Sequence, residues 1–202
     1  MTANGRVAGV LVTPAMAGAV PPGVDPAEFL LALAEDTYEV VAGLEFVRPV
    51  ILTAGVEGLD DIAWPGTPIL TLPDQSAGSA FAALEPYGDV GVVVSGDAPD
   101  LPPLLIGKLL RELGRKQVAV CPAEGGGAVA IAARLPWPGW ADTGPGRIGL
   151  DEPDVVEALR ARAPGRHMVA AGPGWRRLRR PADLSELDVG LEGWDSTRAL
   201  LS

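Results

Sequence analysis

The sequence predicts an α/β domain, a three-layer α/β/α sandwich around a mostly parallel, mixed central sheet. Three observations carry that expectation. Apolar runs of strand length alternate with helix-length segments, the pattern of strands joined by crossover helices. The strongest run, DVGVVVS at residues 89–95, contains three consecutive valines, Val92, Val93 and Val94, which suit only a strand buried on both faces. And 202 residues, 48% hydrophobic and 21% charged, suffice to bury a substantial core in one unit.

Each element has its own local reason. Arg6–Val12 (RVAGVLV) reads as a buried first strand; its apolar run is too short, and too soon broken by Pro14, for a secretion signal. Residues 13–24 form a Pro/Gly/Ala loop. Asp25 caps a helix with Pro26 at its first position and Glu28 three residues after the cap, a capping-box arrangement. Phe29, Leu30, Leu33, Val40 and Val41 recur at helical spacing until Gly43, a natural stop. Residues 48–54 (RPVILTA) form a second buried strand, 68–72 a short third, and 76–84 a short helix.

The strand at 89–95 runs into Gly96, Asp97, Ala98, Pro99 and Asp100; Asp100 caps a helix over 101–113 with Pro102 and Pro103 in its first turn. Residues 117–121 are the next strand, Gly125, Gly126 and Gly127 a sharp turn, and Ala128–Arg134 a strand paired antiparallel beside it. A long loop over 136–150 holds Trp137 and Trp140. A helix over 151–163 starts with Asp151, Glu152 and Asp154 at its positive end, and residues 167–171 and 181–187 form a last strand and a last short helix. With no repeat and no linker, residues 1–202 read as one domain.

Charge and composition narrow the function. The formal net charge is −10 and the isoelectric point about 4.5, against the excess of Lys and Arg that general nucleic-acid binding requires. The charge is uneven: between Arg6 and Lys108 the only basic residue is Arg48. A single cysteine, Cys121, excludes an internal disulfide and a multi-cysteine metal site, and a single His167 excludes a His-rich one. No apolar stretch approaches the roughly 20 residues that span a bilayer. The expectation is a cytoplasmic protein with no nucleic-acid or membrane partner, and a closed homodimer is the commonest soluble oligomer.

In an open α/β sheet, ligands bind beyond the carboxyl ends of the strands, which directs attention to Gly96, Asp97 and Asp100. A carboxylate there, followed by the free amides of a helix start, suits a hard cation such as Mg²⁺ shared with substrate phosphates. Asp97 reads either as that ligand or as a turn residue, and Asp100 either as a site residue or as the helix cap.

The segments VVVSGDAPDLPPLLIGKLL (92–110), VAVCPAEGGGAVAIAARLP (118–136) and RRPADLSEL (179–187) are similar to a bacterial family of glycosyltransferase-A-like proteins, of nucleotide-diphospho-sugar transferase fold, related to the guanylyltransferases of molybdenum-cofactor and phospholactate biosynthesis. The resemblance implies a protein that binds a nucleotide, nucleotide-sugar or sugar phosphate with Mg²⁺ or Mn²⁺ and transfers a nucleotidyl or glycosyl group, Asp97 being the catalytic and metal-binding residue. The candidate substrate-binding residues are Gly96, Asp100, Glu124, Gly126, Arg177 and Arg179. Two departures stand against the activity. The loop at 13–24 carries no cation, where the family usually has basic residues. Arg177 and Arg179 stand where the family places aspartates, one of which helps hold the metal. An arginine reaching Asp97 would fill the metal's place with a charge-assisted hydrogen bond, so the expected cofactor is either a divalent cation or none. Such a relative would be an inactive small-molecule binder or an assembly subunit.

The remaining features have bland alternatives. The run from Arg176 to Arg180 reads as a phosphate site or a solvated, internally paired face. The triple glycine lacks the Lys-Ser/Thr of a P-loop. The loop with Trp137, Trp140 and Gly144-Pro145-Gly146 is either a flap over the site or packing against the sheet edge.

Overall fold

The computed structural model describes residues 5–144, 146–188, 190 and 192–202. Seven strands form one sheet: β1 (Arg6–Val12), β2 (Val47–Thr53), β3 (Ile69–Thr71), β4 (Val90–Ser95), β5 (Val118–Pro122), β6 (Ala128–Arg134) and β7 (Val169–Ala171). Their order is β3-β2-β1-β4-β6-β5-β7. Pairing is parallel throughout except that β6 runs antiparallel to both neighbours, β4 and β5. The antiparallel β5–β6 ladder agrees with the sequence; the insertion of β6 between β4 and β5 is a tertiary fact that no local pattern carries.

Consecutive side chains on a strand point to opposite faces, and Val92, Val93 and Val94 are all buried, so both faces of the sheet are covered. The cover comes from α1 (Pro26–Ala42) against β1 and β2, α2 (Ala77–Leu84) against β1 and β4, α3 (Pro103–Glu112) against β5 and β6, and α4 (Val155–Arg162) against β5 and β7. This is the three-layer sandwich that the sequence predicts. No helix among the described residues is long and apolar enough to cross a membrane.

Local chemistry explains the boundaries. The Asp25 carboxylate accepts from the amides of Ala27 and Glu28 at 2.9 and 3.0 Å, capping α1 as expected. Thr37 on the same helix donates to the Gly96 carbonyl at 3.2 Å, tying α1 to the end of β4. Asp100, in contrast, does not cap α3: with two prolines in succession the helix begins only at Pro103, and the Asp100 carboxylate turns elsewhere. A further helix, α5 (Asp195–Leu200), packs on α1, and its amides at Ser196 and Thr197 are capped by Asp36 of α1 at 3.0 and 2.7 Å. Of the two readings of the tryptophan loop, packing holds for its indoles: the Trp137 ring stacks on Phe81 at 4.6 Å and 5°, and the Trp140 indole donates to Gln117 at 2.7 Å. Pro145 lies outside the described residues.

Candidate functional site

A single crossing segment closes the carboxyl edge of the sheet. Residues 175–179 lie across the ends of β4 and β5, with the Trp175 amide on the Pro122 carbonyl at 3.1 Å and the Leu178 amide on the Asp97 carbonyl at 2.8 Å. The loop after β1 presses on it from the other side. It folds as a 3-10 turn over Pro14–Ala19, and a Cβ added at Gly18 would stand 2.6 Å from the Arg179 carbonyl.

Asp97 sits beneath this segment, not in an open cleft. It is 1% exposed, and Arg177 grips it with two parallel bonds, Nε to Oδ1 at 2.7 Å and Nη2 to Oδ2 at 2.9 Å. The Ser95 hydroxyl donates to the same Oδ1 at 2.7 Å. The expectation of a carboxylate projecting toward substrate is thus overturned, because the strand end is sealed by its own counter-ion. The third arm of Arg177, Nη1, donates to Asp151 at 2.7 Å. Burial pulls the Arg177 pKa down, but the charges and hydrogen bonds of Asp97 and Asp151 outweigh it and hold the guanidinium above its ordinary value.

The other predicted residues divide between interior and surface. Gly96 is buried, its amide bonded to the Leu11 carbonyl at 2.9 Å and its carbonyl to Thr37, so neither backbone group faces a ligand. Asp100 is 5% exposed; its carboxylate accepts from the Trp175 indole at 3.0 Å and from Arg176 Nε at 2.8 Å. Both Asp100 oxygens are thus engaged within the chain. The Gly126 amide is spent within the turn, on the Ala123 carbonyl at 3.1 Å, so it does not cradle a phosphate; its own carbonyl takes Arg179 Nη1 at 3.0 Å. Gly127 has φ +81°, and a Cβ there would meet the Leu150 carbonyl at 2.5 Å, so the turn admits only glycine.

Glu124, Arg177 and Arg179 do come together. With Gly125, Arg176, Arg180, Asp183 and Glu186 they line a cavity of about 390 Å³. Arg180 is its most exposed cation, with 78% of the side chain accessible and one bond to Asp183. Burial first, and the nearby Arg177 charge second, lower the pKa of Arg179. Asp151 bridges Arg177 and Arg179 and also lines a second cavity of about 420 Å³ with Asp74, Ser76 and Arg147. The two cavities therefore flank one charged bridge. Sequence reasoning read Asp151 only as a helix-start residue; α4 in fact begins at Val155, and the partner of Asp151 lies 26 positions away, beyond any local signal.

A divalent cation does not fit the expected place. Both Asp97 oxygens are engaged by a guanidinium, which repels a cation, and no group of three or more His, Cys, Asp or Glu side chains is placed to hold a metal among the described residues.

The overall fold recurs in solved structures. A nucleotide-diphospho-sugar transferase-like protein from Desulfovibrio desulfuricans G20 superposes with a TM-score of 0.67 at 17% identity, over 97% of this chain and 96% of that one. The fold is that of the nucleotide-diphospho-sugar transferases. The same transferase fold appears in Rv0371c of Mycobacterium tuberculosis H37Rv, solved as a complex with manganese (TM-score 0.58, 21% identity, 99% of each chain). It appears again in 4-diphosphocytidyl-2C-methyl-D-erythritol synthase from Anaerococcus prevotii (TM-score 0.61, 11% identity, 98% and 97% covered). No protein-family model and no curated protein matches the sequence.

Proposed function

We propose that this protein binds a nucleotide or nucleotide-sugar at the carboxyl edge of its sheet without a divalent cation at Asp97. The observation that carries the reading is the two-point Arg177–Asp97 bond, which puts a fixed positive charge where a cation beside Asp97 would otherwise sit. A guanidinium held there by Asp97 and Asp151 supplies permanent positive potential beneath the ligand phosphates, with no metal to recruit. Arg180, Arg179 and Arg176 line the cavity above it. The phosphates lie against Arg180, and the sugar or base extends past Asp151 toward Ser76 and Arg147. Asp97 acts as an anchor for Arg177 and takes no proton and no metal. The fold supports a nucleotide as ligand, and the likeness of residues 92–187 to guanylyltransferase relatives makes guanosine nucleotides the first to try.

Thermal melting against nucleoside triphosphates, diphosphates and nucleotide-sugars, with and without Mg²⁺ or Mn²⁺, tests this. A ligand at a hundredfold excess over its dissociation constant adds about 2.7 kcal/mol. A shift that is the same with and without metal, and is lost in Arg180→Gln, is expected. A shift that requires metal refutes the proposal and restores transferase chemistry at Asp97; no shift with any nucleotide refutes it in favour of an assembly subunit.

A further inference from the structure

The opposite edge of the sheet holds a second cationic cavity, which nothing in the carboxyl-edge site uses. It measures about 590 Å³, within the roughly 300–1,000 Å³ of small-molecule sites. Three arginines from separate elements converge on it: Arg6 at the start of β1, Arg111 in the last turn of α3, and Arg134 at the end of β6, which reaches this edge because β6 runs antiparallel. Acids outnumber bases by 26 to 16 in this chain, and most of the arginines near the carboxyl edge are matched with carboxylates. Here, among the described residues, none of the three is in an ion pair. Among the described residues the Arg134 side chain donates only to the Leu113 carbonyl, at 2.9 Å, through Nε, which leaves the outer nitrogens of its guanidinium.

Phe46 lines the same cavity and is anomalous in two independent ways. Among the described residues it is the most exposed large apolar side chain, at 87%, and the one non-glycine residue with positive φ, at 60°. An L-residue of this size adopts that conformation only under constraint, and such outliers gather at ligand sites. The strain here presents an aromatic ring to solvent beside three guanidinium groups whose charge is unmatched.

We infer that this amino-edge cavity binds a multiply anionic small molecule bearing a planar ring, of the nucleoside-diphosphate class, its phosphates on Arg6, Arg111 and Arg134 and its ring on Phe46. Guanidinium groups suit phosphate oxygens by charge and fork geometry, and an exposed ring offers a stacking face. The site is independent of the carboxyl-edge site, and a ligand here would be an effector or a second substrate.

Isothermal titration with ADP, and with inorganic pyrophosphate as the ring-free control, separates the components. ADP binding is expected to weaken at least tenfold in the Arg6→Gln/Arg111→Gln variant, neither side chain having a hydrogen-bond or ion-pair partner to lose among the described residues, and to survive Arg180→Gln. Phe46→Gly is expected to bring ADP affinity down to that of pyrophosphate while raising the melting temperature, because glycine adopts φ 60° freely. ADP binding unchanged in the double arginine variant overturns the proposal, as does the failure of ADP, GDP, CDP and UDP alike to bind. A lower melting temperature in Phe46→Gly overturns the assignment of the ring as a strained ligand contact.

Discussion

Replacing Asp97 by Asn tests the seal at the end of β4 most directly. The substitution keeps the shape and removes the charge, leaving Arg177, with 2% of its side chain accessible, short of its main counter-ion. Breaking a buried pair on one side costs about 3–5 kcal/mol, because the survivor stays desolvated and uncompensated. Arg177 retains Asp151, whose side chain is 60% accessible and therefore a screened, weaker partner, so the cost falls near the lower end, at about 3 kcal/mol. At about 2–4 °C per kcal/mol for a domain of this size, the melting temperature drops by roughly 6–12 °C. Arg177→Met should cost a similar amount, and Asp97→Asn/Arg177→Met clearly less than the sum, with a coupling of about 2 kcal/mol in a urea-unfolding cycle. Single variants within about 0.5 kcal/mol of the parent, or strict additivity, would refute the reasoning. So would an Mg²⁺ titration that stabilises the parent and not Asp97→Asn, since that requires a carboxylate free to bind a cation.

Other expectations rest on single neighbourhoods. Asp36 is fully buried, and burial raises its pKa despite the amide bonds from α5. A raised folded-state pKa favours the native state most below the ordinary value near 3.8, and that advantage is lost as pH rises through the folded value. The parent should therefore gain stability relative to Asp36→Asn as pH falls from 7 toward 4 in urea unfolding; a flat or inverted difference excludes this. Gly127→Ala must take φ +81° and thrust its Cβ to 2.5 Å from the Leu150 carbonyl, a loss of at least about 2 kcal/mol, whereas Gly125→Ala, at φ +82° with open space around it, costs only about 1 kcal/mol. Equal melting temperatures for the two would contradict the packing of the turn. The Cys121 thiol is 1% exposed, and burial pushes its pKa up to about 12. Iodoacetamide at pH 8 should leave it intact in the native protein and modify it on unfolding.

The sequence made the scaffold legible wherever a local cause sets the structure. Arg6–Val12 and Ala128–Arg134 coincide with their strands because each is an unbroken apolar run between turn residues, and α1 starts where Asp25 and Pro26 say it should. The errors fall where a distant partner decides. Asp100 resembles a cap but is claimed by Arg176 and Trp175, more than 70 positions on. Helix α5 escaped notice because its cap, Asp36, comes from another helix some 160 positions earlier. In the site itself, the resemblance drew attention to arginines at 177 and 179 that could reach Asp97, and Arg177 does pair with it. Periodicity could not indicate that the same pairing withdraws Asp97 from solvent. The amino-edge cavity was illegible for the same reason, since Arg6, Phe46, Arg111 and Arg134 belong to four elements that only the strand order brings together.

Arg176 and Arg177 follow Asp100 and Asp97 in the chain by 76 and 80 residues, after all seven strands have been made. A nascent chain folded that far carries two carboxylates at the end of its central strand with nothing to neutralise them, and burying them bare is prohibitive. They must stay hydrated until the last quarter of the polypeptide emerges. Closure of that end is therefore a late event in assembly, and the arrival of the arginines both dries the core and discharges it.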